Sequence, residues 1–340
     1  MKLCTLRNGR RDGALAVVSH DLQWVMPAHS VAPTLQAALD DWQHVAPGLQ
    51  ALYEQIDQAS PPAEARPFDP REAMAPLPRA YQWLDGSAFS NHGAWMQRAF
   101  NSPALDTSMP LMYQGGSDDF LGPHDDAVFV SEAHGIDIEG EIAVITDDVA
   151  MGTRDEAALG HVRLLALVND WSLRALQPRE MGLGFGMVHS KPSTAFAPVV
   201  VTPDELGAAW SAGRLQLPLH VSINAHTIGR PHAGCMSVGF GRLIEHAAST
   251  RRLRAGTVIG SGTVSDPAEG AGSATLAEVR AIEKVTLGEV RTPFLRLGDR
   301  VRMEVWSDSG ASLFGALDQR VCIASPEPGL HQALTLRWRG

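Results

Sequence analysis

Cysteine is scarce in this chain: Cys4, Cys235 and Cys322 lie far apart and show no C-x-x-C spacing. A disulfide framework and a cysteine-built zinc site are thereby excluded, and each thiol reads as structural. Long basic runs are also missing. The formal net charge is -10, and patches such as Arg251-Arg252-Leu253-Arg254 are too brief to track a phosphate backbone. No nucleic-acid partner is expected. No uncharged apolar stretch reaches membrane-spanning length, and the segment from Met1 to Arg10 lacks the apolar core of a signal peptide. The expectation is a cytoplasmic protein without a membrane partner.

Several common functional motifs are absent too. Gly182-Leu183-Gly184-Phe185-Gly186 and Gly260-Ser261-Gly262-Thr263 are glycine-rich, yet neither forms G-x-G-x-x-G between a strand and a helix, and no Walker A pattern occurs. Nucleotide binding therefore has no support. There is no G-x-S-x-G elbow and no H-E-x-x-H helix, which removes the commonest signals of serine hydrolases and zinc proteases. The pairs Asp118-Asp119, Asp125-Asp126 and Asp147-Asp148 read as solvated turns.

What is present is 340 residues, 44% of them hydrophobic, somewhat more than one average domain needs. Residues 14–18 and 23–26 read as a hairpin, followed by helices over 33–42 and 47–56. A Pro-rich, charge-mixed stretch over 60–70 suits a linker and puts a domain boundary near residue 74. This divides the chain into 1–74 and 75–340. The second part is strand-rich, with candidates at 127–130, 140–145, 162–168, 215–223, 257–259, 279–287 and 301–306. Helices are expected at 88–100, 156–161, 203–212 and 241–248. Strands without regular crossover helices predict an α+β fold rather than a doubly wound sheet.

A dispersed acidic set stands out: Asp85, Glu139, Glu141 and Asp170, with His92 seven residues after the first. From Gly135 to Ile145 the pattern has period two, placing Ile136, Ile138, Ile142 and Val144 on one face and Asp137, Glu139 and Glu141 on the other. Like charges on one face repel, and burial without partners would raise their pKa until they neutralise. A cation removes that conflict, although for the pair alone a wet strand face is the simpler reading. Asp170 ends the apolar run Leu164–Val168, where it could serve a site or cap a helix over 171–177.

The set Asp85-x6-His92, Glu139-x-Glu141 and Asn169-Asp170-Trp171-Ser172-x-Arg174 resembles the fumarylacetoacetate hydrolase family. So do Ser190-Lys191-Pro192, Gly260-Ser261-Gly262-Thr263-Val264-Ser265 and the segment from Thr292 to Val301, so the likeness runs from about Leu77 to Cys322. The resemblance implies a mixed β-roll catalytic domain, a small β-rich N-terminal domain and a homodimer. It makes Asp85, Glu139, Glu141 and Asp170 ligands of Mg2+, Ca2+ or Mn2+, and an all-carboxylate set independently favours a hard cation. His92 becomes the base that activates water, with Glu278 orienting its imidazole. Arg174 and Lys191 join the catalytic group by holding substrate oxygens or stabilising a departing carbanion. Gln177, Gly262, Thr263 and Ser87 fall at substrate-binding places.

The activity implied is metal-dependent hydrolysis of a carbon–carbon bond in a small 1,3-diketo acid, of the fumarylacetoacetate or acylpyruvate type, in aromatic or tyrosine breakdown. The fumarylacetoacetase branch carries tyrosines where Ser87 and, approximately, Met181 stand here, so the reaction type is better supported than that substrate. The alternatives are a 2-keto acid decarboxylase, hydratase or isomerase with the same metal site, or a calcium-stabilised binding module. Glycines 182, 184 and 186 could hinge a lid over the site or mark a passive loop.

Overall fold

A computed structural model describes residues 1–58, 60, 62–102, 106 and 108–324. Pro61 of the expected linker and residues 325–340 of the expected second domain lie outside them. Two mixed sheets dominate, one of 11 strands and one of five. The larger runs, in spatial order, through Arg66–Pro67, Trp24–Pro27, Ala14–Val18, Lys2–Leu6, Val200–Val201, Val162–Asn169, Gly140–Thr146, Val258–Gly260, Trp83–Gly86 and Met112–Gly115, with Ala195–Phe196 paired to Val162–Asn169. The smaller runs His226–Gly229, Leu219–Ile223, Arg300–Val305, Leu317–Ile323 and Ala127–Phe129. Among the described strand pairs only Val258–Gly260 with Trp83–Gly86 and Leu317–Ile323 with Ala127–Phe129 are parallel. Helices flank the sheets rather than alternate with the strands, which is the expected α+β class.

The central strand Gly140–Thr146 explains why this sheet forms. Its neighbours Val162–Asn169 and Val258–Gly260 bond to both of its edges, and its residues are buried on both faces. Ile142 and Val144 pack toward Leu167, Leu219, Met303 and Leu317, while Ala143 and Ile145 pack toward Leu3, Val17, Leu35, Leu49 and Ile56. The period-two alternation of β structure thus feeds two cores from one strand. The period-two pattern over 135–145 does not run on as one strand: Ile136–Asp137 pairs with Ser172–Leu173, and the larger sheet takes over at Gly140, where the strand was expected. The acidic face is consequently buried, not wet.

The N-terminal strands belong to the same sheet as the rest. Lys2 and Leu3 pair with Val201 and Val200, and Val201 pairs with Leu165 in the centre. The helices Leu35–Asp40 and Trp42–Ile56 close the second core against that face.

Two expectations fail for physical reasons. Residues 279–287 form the C-terminal part of a helix, Leu276–Leu287, not a strand. β-branched Val279, Ile282, Val285 and Thr286 imitate a strand, but Thr275 caps the N-terminus through Ala277 and Gly288 ends the helix at φ 79°. Residues 171–177 are not a helix either: Ser172–Leu173 is a strand, and the helix starts at Gln177. Asp170 therefore caps nothing. Shorter deviations occur over 215–223, split into Arg214–Leu215 and Leu219–Ile223, and over 203–212, where Pro203–Ala209 is a 3-10 helix.

Leu167 is fully buried in the central pair of strands, so Leu167→Ala should destabilise the protein by about 2–5 kcal/mol. Val128, 54% exposed in its strand, should tolerate alanine within about 0.5 kcal/mol. Denaturant unfolding of the two variants checks the contrast.

Candidate metal centre and active site

Three backbone elements bring the acidic residues to one end of the larger sheet. Asp85 lies on Trp83–Gly86, directly between Gly260 and Tyr113 on the neighbouring strands. Glu139 and Glu141 stand at the start of the central strand, and Asp170 follows the exit of Val162–Asn169. By alternation Asp85 shares a face with Trp83, Glu141 with Ala143, and Asp170 with Val168. Oxygen atoms of all four carboxylates lie within 4.8 Å of one another, and all four residues are buried.

Their partners are unequal. Glu139 receives Lys191 Nζ at 2.7 Å and Arg174 Nη2 at 2.6 Å. Asp170 receives Lys191 Nζ at 2.6 Å, Thr194 Oγ1 at 2.7 Å and Tyr113 Oη at 2.5 Å. Asp85 accepts only the Gly262 N–H, at 3.0 Å, among the described hydrogen bonds. Neither oxygen of the fully buried Glu141 has a hydrogen-bond partner among the described residues.

The titration behaviour follows. Burial raises Glu139, but Lys191 and Arg174 outweigh it and bring its pKa down to about 2. Burial, reinforced by repulsion from Asp170, pushes Asp85 up to about 8. Burial and then the charges of Asp85, Asp170 and Glu139 hold Glu141 well above the ordinary carboxylate range. Burial works against the Lys191 ammonium, yet Asp170, Glu139 and Asp85 raise its pKa and keep it charged.

These residues fit a hard divalent cation. The donor set is all oxygen, the Glu141 oxygens lack partners, and Gly260 leaves open the space that a side chain would fill. A methyl group on Gly260 would press on the Trp83 ring and come within 2.6 Å of Asp85 Oδ1 and 2.8 Å of Glu141 Oε2.

The imidazole of His92, on the helix Ser90–Phe100, meets Glu278 beside this cluster: His92 Nδ1 and Glu278 Oε2 are 2.8 Å apart. Glu278 is 1% exposed and also accepts the Ser273 hydroxyl at 3.0 Å. In the neutral ring, a carboxylate accepting at Nδ1 places the proton on that nitrogen and leaves Nε2 as the acceptor. His92 lies within electrostatic reach of Glu139. Arg174 bonds Gln177 Oε1 at 3.0 Å as well as Glu139, and Gln177 Nε2 reaches Met187 Sδ at 3.4 Å.

Gly262 sits at φ 75°, and a side chain there would collide with the Gly86 carbonyl, so glycine allows the 261–263 segment to lie against Asp85. Thr263 is buried beside it, and Ser87 is exposed just after the Asp85 strand, its N–H on the Leu111 carbonyl. The glycine-bearing segment after Gln177–Leu183 carries Phe185 fully exposed. Its far end is held by Glu180, whose carboxylate accepts the N–H groups of Val188, His189 and Ser190.

Sequence reasoning missed Tyr113 and Thr194, both on Asp170, and the role of Asp137, which turns away from the other acids. Tyr113 lies in a short strand with no clear pattern, and Thr194 follows the Ser190-Lys191-Pro192 segment that could have drawn attention to it.

The sequence profile described as "Fumarylacetoacetate (FAA) hydrolase C-terminal" matches residues 82–322, and that described as "Fumarylacetoacetase N-terminal domain 2" matches residues 1–79. The chain belongs to the fumarylacetoacetate hydrolase family. No curated protein matches it. Among solved structures it is similar to a fumarylacetoacetate hydrolase from Exiguobacterium antarcticum, at 16% identity and TM-score 0.64, covering 95% of this chain and 100% of that one. It is similar to a maleylpyruvate hydrolase from Sphingobium sp. SYK-6, solved with manganese(II) and pyruvate, at 14% identity, TM-score 0.63 and coverage of 96% and 100%. A 5-carboxymethyl-2-hydroxymuconate delta-isomerase from Mycobacterium smegmatis gives 16%, 0.60, 96% and 100%. At such identities the likeness establishes the shared fold. Among the described residues no helix is long and apolar enough to cross a membrane.

Metal binding requires deprotonated ligands, so Mn2+ affinity should rise with pH toward about 8, where Asp85 loses its proton. The folded pKa of Asp85 lies above the ordinary value, about 3.9. The metal-free protein should therefore lose stability as pH climbs through this range, and Mn2+ should restore it. Melting curves in chelator and in Mn2+ at both ends of the range check the sign. Glu141→Gln should weaken Mn2+ binding by more than about 100-fold in calorimetry, since changes outside the ligand set already cost roughly 10–100-fold.

Proposed function

We propose that this chain is a divalent-metal-dependent hydrolase that cleaves a carbon–carbon bond in 1,3-diketo acids, of the fumarylacetoacetate or acylpyruvate type. The observation that carries this reading is the His92–Glu278 pair, 2.8 Å apart, next to a buried cluster of four carboxylates. A decarboxylase needs no activated water, whereas a hydrolase needs a base of this kind. The similar Sphingobium protein, a maleylpyruvate hydrolase solved with manganese(II) and pyruvate, supports a small keto acid and this class of metal.

In this reading Asp85, Glu139, Glu141 and Asp170 hold Mg2+, Ca2+ or Mn2+. When bound, the ion supplies Lewis acidity toward the substrate's keto oxygens. His92 Nε2 takes a proton from water, and the hydroxide adds to the carbonyl carbon. Glu278, on Nδ1, fixes the ring and stabilises the imidazolium that forms. The carbon–carbon bond then breaks, its electron pair passes to the departing enolate, and His92 returns the proton to that carbon. Arg174 and Lys191 keep positive charge where the enolate develops. Gln177 and Ser87 orient the substrate, and Gly262 and Thr263 offer close backbone approach and a hydroxyl. The products are a carboxylate and a ketone, or two carboxylates. The same reading takes the protein as a homodimer.

Loss of ultraviolet absorbance from fumarylacetoacetate and simple acylpyruvates in Mg2+ or Mn2+ is the direct test. His92→Ala should lower kcat by about 10²–10⁴-fold, the usual worth of a general base, and chelation should abolish turnover. Release of carbon dioxide, or an isomerised product without cleavage, at a rate indifferent to His92→Ala would replace hydrolysis by one of the related reactions.

A further inference from the structure

Asp137 is completely buried, lies outside the carboxylate cluster, and has no part in the reaction described above. Its Oδ1 accepts the Leu276 N–H at 2.8 Å and that of Ile138 at 2.8 Å. Its Oδ2 accepts the Ala277 N–H at 2.9 Å, the Thr275 hydroxyl at 2.9 Å and Arg174 Nε at 2.8 Å. Both oxygens are thus fully used, and their donors come from two sides of the active site.

On one side is the helix Leu276–Leu287, whose first N–H groups have no partner within the helix. A carboxylate there satisfies two of them and complements the helix dipole. Glu278 stands in the first turn of that helix, and the helix packs against Ser90–Phe100, which carries His92. On the other side is Arg174, which holds Glu139 and Gln177. A second tie runs directly from Arg174 Nη2 to Thr275 Oγ1, at 3.1 Å.

We propose that Asp137 is a positioning residue that sets the His92–Glu278 pair at a fixed distance from the carboxylate cluster. One side chain anchors the helix bearing Glu278 and the guanidinium that grips Glu139, so neither can shift without the other. This inference rests on the hydrolase reading for its kinetic consequence but not for its structural one.

Asparagine is the sharp substitution. An amide has the same shape, but whichever oxygen the NH2 group replaces, it faces N–H or O–H donors that need an acceptor. The helix start or Arg174 must move, and a displacement on the order of 1 Å costs about 100-fold in rate. Asp137→Asn should therefore lower kcat by about 100-fold at saturating Mn2+. In 15N-histidine-labelled protein without substrate, the hydrogen-bonded Nδ1 proton of His92 should lose its protection from exchange. Ala281→Gly, in the same helix, should lower the melting temperature yet keep the His92 signal and kcat. If Asp137→Asn does not fold, Thr275→Val, which removes one donor to the same oxygen, should show the same losses to a smaller degree.

A His92 signal that persists in the folded Asp137 and Thr275 variants overturns the proposal. Equal losses in Ala281→Gly overturn it as well, because they would trace to stability alone. Should the native chain turn over no diketo acid, the hydrolase reading fails, and the histidine signal still decides the role of Asp137.

Discussion

Everything at this site follows from the burial of more negative charge than the protein can balance. Four carboxylates converge at the end of one sheet, and among the described residues the cations paired with them, Lys191 and Arg174, sit on Glu139 and Asp170. Glu139 and Asp170 are compensated by protein charges, whereas Asp85 and Glu141 are not. In a low-dielectric interior such an imbalance is tolerated only by taking up protons or by admitting a cation. The rest of the local architecture reads as support for that choice. Apolar strands wall the acids off from water, glycines at 260 and 262 leave space and backbone contact, and the tyrosine and threonine on Asp170 fix its rotamer.

Part of this was legible in the sequence, and the boundary has a physical origin. Glu139 and Glu141 could be paired because strand periodicity is local, and Asp170 because an apolar run announces its own end. The α+β class followed from strands that lack crossover helices. Asp85, His92 and Glu278 could be related to one another only through family resemblance, since 186 positions separate His92 from Glu278. Asp137 was visible as an acid on the face of a strand, but its partners at 174 and 275–277 are set by tertiary contact, so nothing local revealed its direction. The two misread segments show the same limit. β-branched residues in 279–287 spoke for a strand, while the capping groups at Thr275 and Gly288 lay just outside the window.

Asp170 illustrates how a local explanation of a residue can fail. Its type and place suit a helix cap, and the following residues have helical spacing. The chain instead pairs Ser172 with Asp137, which carries Arg174 toward Glu139 before any helix begins. The strand pairing wins because it joins two buried segments, whereas a helix at that point would leave Ile136 and Leu173 without a mate.

The continuity of the larger sheet has a mechanical consequence. Lys2–Leu6 joins the centre through Val200–Val201, and the N-terminal core lies on the same face as Asp85, Glu141 and Asp170. Opening the first strands would strip one cover from the layer that holds the acids. The two family segments thus share one hydrogen-bonded sheet and one core, so that loosening the hairpin near its far edge would be felt through strand pairing by the layer that carries the acids.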